Sequence, residues 1–106
     1  MTPEHSRIAD SFIHVKIQYF GTIRVAAGKG EEEFLFASNK DVSELLQELA
    51  NHYGKDFHAE IFEGSNLRAD LMVTVNQAIT PHETLAGLPI KQGDVVALFP
   101  IFPGGG

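Results

Sequence analysis

The segment from Asp41 to Gly54 constrains the fold more than any other part of the chain. Asp41 followed three residues on by Glu44 has the form of a capping box. Val42, Leu45, Leu46, Leu49, Ala50 and Tyr53 then repeat with the 3.6-residue period of a helix, and Gly54 supplies the stop. A helix with one apolar stripe must lay it against another layer, and the remaining residues read as strands. Between Phe12 and Phe20, Ile13, Val15, Ile17 and Tyr19 alternate with His14, Lys16 and Gln18, the period of a half-buried strand. Gly21 breaks it, and Ile23, Val25, Ala26 and Ala27 form one or two helical turns that bury Ile23 with Ala26 or Ala27. Gly28-Lys29-Gly30 is a turn into a second strand, Glu32 to Ala37. Phe34 and Phe36 lie on one face of that strand and Glu33, Leu35 and Ala37 on the other, and it pairs with the first as a hairpin.

Past the helix, Lys55 to Asp70 reads as irregular structure with an extra turn. Leu71 to Val75 is an apolar strand, Asn76-Gln77 a turn, and Ala78-Ile79 the start of a return strand that Thr80-Pro81 ends. Gln92-Gly93-Asp94 turns the chain into a last strand, Val95 to Phe99, stopped by Pro100. The expected fold is α+β, a mixed sheet of four or five strands crossed by one main helix. Its parts are a flexible leader (1–11), one domain (12–100) and an extended tail (101–106).

A chain of 106 residues supports one domain, burying roughly two-thirds of the surface its unfolded state exposes. The formal charge of -6 repels nucleic-acid phosphates and anionic lipid, so neither is an expected partner. No apolar run approaches the ~20 residues that span a bilayer, the first residues lack the basic and apolar regions of a signal peptide, and there is no cysteine. The expectation is a reducing, cytoplasmic setting. Gly28-Lys29-Gly30 lacks the longer frame of a phosphate-binding loop. The five histidines are scattered without metal-ligand spacing, no serine lies in a Gly-x-Ser-x-Gly turn, and Glu31-Glu32-Glu33 reads as a solvated strand edge. No catalytic constellation, bound metal or bound cofactor is therefore expected.

The chain ends Phe99-Pro100-Ile101-Phe102-Pro103-Gly104-Gly105-Gly106. Glycine loses the most backbone entropy on ordering, so folding stability does not account for three at an end. What they offer is width, because a chain without Cβ atoms threads a channel that any side chain would block. At ~3.3 Å per residue, the six residues after Pro100 reach roughly 20 Å from the sheet. Phe99, ending a strand, is expected to belong to the core. Phe102, past Pro100, is the better candidate for an aromatic anchor.

These residues, in this order, resemble the ubiquitin-like sulfur carriers, a family that includes the small subunit of molybdopterin synthase and the thiamine-biosynthesis carrier. Val15-Lys16-Ile17-Gln18-Tyr19-Phe20-Gly21 through Arg24 to Ala27-Gly28 looks like that family's first strand and short helix. Val75-Asn76-Gln77 looks like its central turn, Gln92 to Pro100 like its last strand, and the glycine pair like its reactive tail. The likeness spans Phe12 to Gly106. The leader, the length of Lys55 to Asp70 and the third glycine depart from the pattern. The resemblance implies a β-grasp fold and a carrier that is a cosubstrate and not an enzyme. An ATP-dependent activating enzyme would join the Gly106 carboxylate to AMP, and a sulfur donor would convert it to a thiocarboxylate. The sulfur would then pass to a molybdopterin synthase large subunit. Gly104 and Gly105 would give the tail its passage, and Phe99, Ile101 and Phe102 would form the partner interface. The same fold and tail also suit a protein modifier captured by a lysine, a thiamine-pathway carrier, or a β-grasp binding module that never reacts.

Overall fold

The computed structural model describes residues 12–101. The expected leader and most of the expected tail thus lie outside the described residues. In chain order the elements are β1 (Phe12–Tyr19), α1 (Gly21–Ala27), β2 (Glu31–Ala37), α2 (Val42–Tyr53), α3 (Lys55–Ile61), β3 (Phe62–Glu63), β4 (Asn66–Leu67), β5 (Leu71–Val75), β6 (Ala78–Thr80) and β7 (Val95–Pro100). Five strands form one mixed sheet in the order β2-β1-β7-β5-β6, and β3 pairs with β4 as a separate small ribbon. β1 pairs antiparallel with β2 and parallel with β7, with Ile17 beside Val96 and Tyr19 beside Leu98. β7 also runs antiparallel to β5, so the last strand lies between two others. This is the β-grasp arrangement.

Alternation along the strands selects which side chains meet the helix. Val15, Ile17, Val73, Val96 and Leu98 are fully buried on one sheet face, against Val42, Leu45, Leu46 and Leu49 of α2. The capping box fixes where α2 begins. The Glu44 amide donates to Asp41 Oδ1 at 2.9 Å and the Asp41 amide donates to Glu44 Oε1 at 2.9 Å. The other Asp41 carboxylate oxygen accepts the Gly87 amide at 2.7 Å, tying the loop that buries Leu85 and Ile90 to the same helix end.

Two expectations are corrected. The stretch after Gly54 is not irregular, because Lys55–Ile61 is helical and buries Phe57 and Ile61 completely. A single i, i+4 apolar pair is too short a period to stand out in sequence, and the helix holds by packing against α1 and α2, with the Phe57 ring edge-on to Tyr19. Nor is Glu32 part of a solvated edge. Glu31 and Glu33 are exposed, but Glu32 shares the inward face of β2 with Phe34 and Phe36. Its Oε2 accepts the hydroxyls of Tyr19 and Tyr53, and Lys29 Nζ lies 3.5 Å from Oε1. Tyr19 is almost wholly buried, with its ring edge-on to those of Tyr53 and Phe57, so its hydroxyl needs a partner within the protein. Burial, and then the Glu32 carboxylate, push the Tyr19 phenol above its ordinary range. At Glu32 burial acts upward, but the phenol hydrogen bonds and the Lys29 ammonium outweigh it and leave the carboxyl below its ordinary value.

Replacing Leu49 by Ala is expected to cost about 2 to 5 kcal/mol in denaturant unfolding, through lost transfer energy and a residual cavity. A carboxyl lowered in the folded state stabilises it above the unfolded-state value, and that contribution is lost as pH falls through the folded-state value. The parent should therefore lose stability on acidification below the ordinary glutamate value of 4.5. Glu32→Gln, less stable at neutral pH, should lose less over the same interval in melting curves recorded across it.

Candidate functional site

Because β1 and β7 run parallel, their ends emerge together at one end of the sheet. The Phe20 amide donates to the Leu98 carbonyl at 3.1 Å, and the Phe20 and Phe99 rings stack with centroids 4.3 Å apart and planes 6° from parallel. The next residues are as closely matched. A Cβ on Gly21 would lie 2.6 Å from Pro100 Cγ and 3.2 Å from Cδ, and Gly21 has φ +58°, in the left-handed region that favours glycine. Pro100 therefore seats directly on the Gly21 backbone. One residue on, the Ile101 amide donates to the Asp70 carbonyl at 2.6 Å. The Asp70 carboxylate receives the Arg68 guanidinium as a two-point fork at 2.9 and 3.1 Å, and these hydrogen bonds hold its carboxyl below the usual range. The chain is thus fixed to Ile101, a residue 45% exposed.

The sheet face opposite α2 is open. Phe12, Leu35 and Ile79 are more than half exposed on it, and Ala97 and Thr74 are small enough to leave a depression of about 490 Å³. Lys16, Gln18, Asn76 and Phe99 stand around it. The Asn76-Gln77 turn at its rim has positive φ at both residues, 51° and 72°, as a two-residue type I′ hairpin requires. The Asn76 side chain fixes the turn to β7, with Oδ1 accepting the Val95 amide at 2.9 Å and Nδ2 donating to Asp94 at 3.1 Å. A polar band crosses the face beside the depression, where Lys16 Nζ lies 3.9 Å from Glu31 and Gln18 Nε2 donates to the same carboxylate at 3.4 Å. An apolar face with a few directed polar groups suits docking of another protein surface. Among the described residues, no group of three or more His, Asp or Glu side chains is placed to hold a metal ion.

Of the residues singled out in the sequence, Phe99 is not core. Val96 and Leu98 take the buried face of β7, so Phe99 falls on the open face and packs on Phe20. The unbroken apolar run Val95 to Phe99 hides this, because it carries no polar residue to mark the outer face. Ile101 follows two residues later, exposed and held by its amide to the Asp70 carbonyl. Phe102, Gly104, Gly105 and Gly106 lie outside the described residues. The sequence reading missed Phe20, Gly21 and the Arg68–Asp70 pair. Phe20 was within reach of it, since it continues the outward phase of Lys16 and Gln18.

No curated protein sequence matches the chain. Among solved structures it is similar to the HVO 2177 protein of Haloferax volcanii, at 21% identity over 90% of this chain and 89% of that one, with a TM-score of 0.76. It is similar to the putative molybdopterin converting factor, subunit 1, of Pyrococcus furiosus, at 25% identity over 85% of this chain and 99% of that one, with a TM-score of 0.63. It is also similar to the small archaeal modifier protein 1 of Methanosarcina acetivorans, at 24% identity over 89% and 98%, with a TM-score of 0.71. Residues 17–105 match the ThiS family. With a sheet that grasps one helix, a last strand whose end is clamped at the surface and a match that runs on into the terminal glycines, the chain belongs to the ThiS family of ubiquitin-like sulfur carriers.

Proposed function

We propose that this carrier serves molybdopterin biosynthesis in the cytoplasm, with its own terminal carboxylate as the reacting group. The observation that carries the reading is the root of the tail. Half-buried Phe99, stacked on the exposed Phe20, and exposed Ile101 lie at the end of a central strand, just ahead of Phe102-Pro103-Gly104-Gly105-Gly106 in the sequence. The likeness to a molybdopterin converting factor subunit supports the pathway. A carboxylate is a poor acylating agent because its leaving group is oxide, so activation comes first. A Gly106 carboxylate oxygen attacks the α-phosphorus of ATP and pyrophosphate leaves. Hydrosulfide delivered by a sulfur donor then attacks the carbonyl carbon, AMP leaves and a proton is lost, giving a thiocarboxylate. The activating enzyme supplies the catalysis. This chain supplies recognition through its sheet face and the apolar residues Phe99, Ile101 and Phe102, and reach through Gly104 and Gly105. A partner resembling the large subunit of molybdopterin synthase takes the sulfur by the same surface.

The fold shared with a small archaeal modifier protein supports a second reading. In it the activated Gly106 carbonyl is attacked by a lysine amine of another protein, AMP leaves, the amine loses a proton and an isopeptide bond forms.

Both readings need a free carboxylate at Gly106, and pyrophosphate release from ATP with the activating enzyme tests it. One residue added after Gly106 should abolish release, since a misplacement of about 1 Å costs ~100-fold. Gly105→Val should be nearly as damaging, and Gly104→Ala should be tolerated. Normal turnover with the extension still attached would contradict the mechanism. Phe102→Ala should weaken binding to both partners, measured by calorimetry, and unchanged affinity for both would remove its anchoring role.

A further inference from the structure

We infer that Gly21 and Phe20 are positioning residues for activation of the tail: they set the direction in which the chain leaves the sheet and touch no reacting atom. The inference rests on the proposed terminal-carboxylate chemistry. Three contacts converge within three residues of chain. Phe20 stacks flat on Phe99, a Cβ on residue 21 would fall 2.6 Å from the Pro100 ring, and the Ile101 amide is bonded to the Asp70 carbonyl. They come from three elements: the end of β1, the start of α1 and the residue before β5. A strand that only needed to end would not require its exit to be held from three sides. The length of the arm gives the arrangement its use. Drawn out at ~3.3 Å per residue, the six residues after Pro100 would span roughly 20 Å, so a tilt of about 10° at the root would move the far end by roughly 3 Å. Pro100 and Pro103 restrict φ along the first half of that arm and limit how far the error is absorbed before the glycines. Displacements of this size are large compared with the tolerance of a near-attack geometry.

The prediction separates kcat from KM. A docked carrier whose tail leaves at the wrong angle binds normally and reacts slowly, so kcat falls. A carrier that is merely less stable offers less folded substrate, so apparent KM rises and kcat at saturation stays. The experiment follows pyrophosphate release with ATP, the adenylating enzyme of the source organism and increasing concentrations of carrier. Melting curves establish that each variant is folded at the assay temperature. Gly21→Ala should lower kcat by about ten-fold or more with KM little changed. Pro100→Ala, which leaves Gly21 as it is and removes the ring that seats on it, should lower kcat in the same sense. Phe20→Leu, which keeps bulk and loses the stack, should lower kcat in the same sense, and it decides the matter if Gly21→Ala does not fold. A kcat equal to the parent's in the folded variants, with only KM or melting temperature altered, overturns the inference alone. A parent chain that releases no pyrophosphate overturns the proposed chemistry and the inference with it.

Discussion

The pairing on which the rest of the molecule depends is the parallel contact between its first and last described strands. Ile17 beside Val96 and Tyr19 beside Leu98 close the sheet through its middle. Parallel strands cannot be joined by a tight turn, and here nearly the whole domain forms the connection. The consequence is geometric. Both strands end at the same end of the sheet, so Phe20 and Gly21 meet Phe99 and Pro100, and the chain departs from a central strand instead of a frayed edge. A tail hung on an edge strand would move with every local opening of that edge.

The two sheet faces divide the work. One face is closed by α2 and α3, and its polar demands are met within the protein: the capping box satisfies the start of α2, and Glu32 satisfies the Tyr19 and Tyr53 hydroxyls at its other end. The other face keeps Phe12, Leu35, Ile79 and the Phe20–Phe99 stack at least partly open to solvent, crossed by the Lys16–Glu31 pair. Leaving so much apolar surface uncovered costs solubility unless something else covers it for part of its working life. That is what the proposed passage from an activating enzyme to a sulfur acceptor would require.

Much of this was legible in the sequence, for reasons that differ by element. The helix from Val42 to Tyr53 and the strand from Phe12 to Tyr19 were readable because each repeats its period several times between clear stops. The Asn76-Gln77 turn was readable from residue type, although neither residue is glycine. α3 was not, because its single Phe57–Ile61 pair is shorter than any dependable period. Glu32 misled because three consecutive glutamates look like one solvated run, and only alternation along β2 separates the inward one from its neighbours. The glycine tail announced itself through composition and order. Its root did not, because the approach of Gly21 to Pro100 joins residues far apart in the chain, and one sequence carries no mark of that distance.

Mass spectrometry of the intact protein from its native cell tests the central claim most directly. Replacement of one oxygen by sulfur, located at Gly106 by fragmentation, is the result the sulfur-carrier account predicts. A chain found only with an unmodified terminal carboxylate, or only joined through Gly106 to lysines of other proteins, while the cell is making molybdopterin, would contradict it.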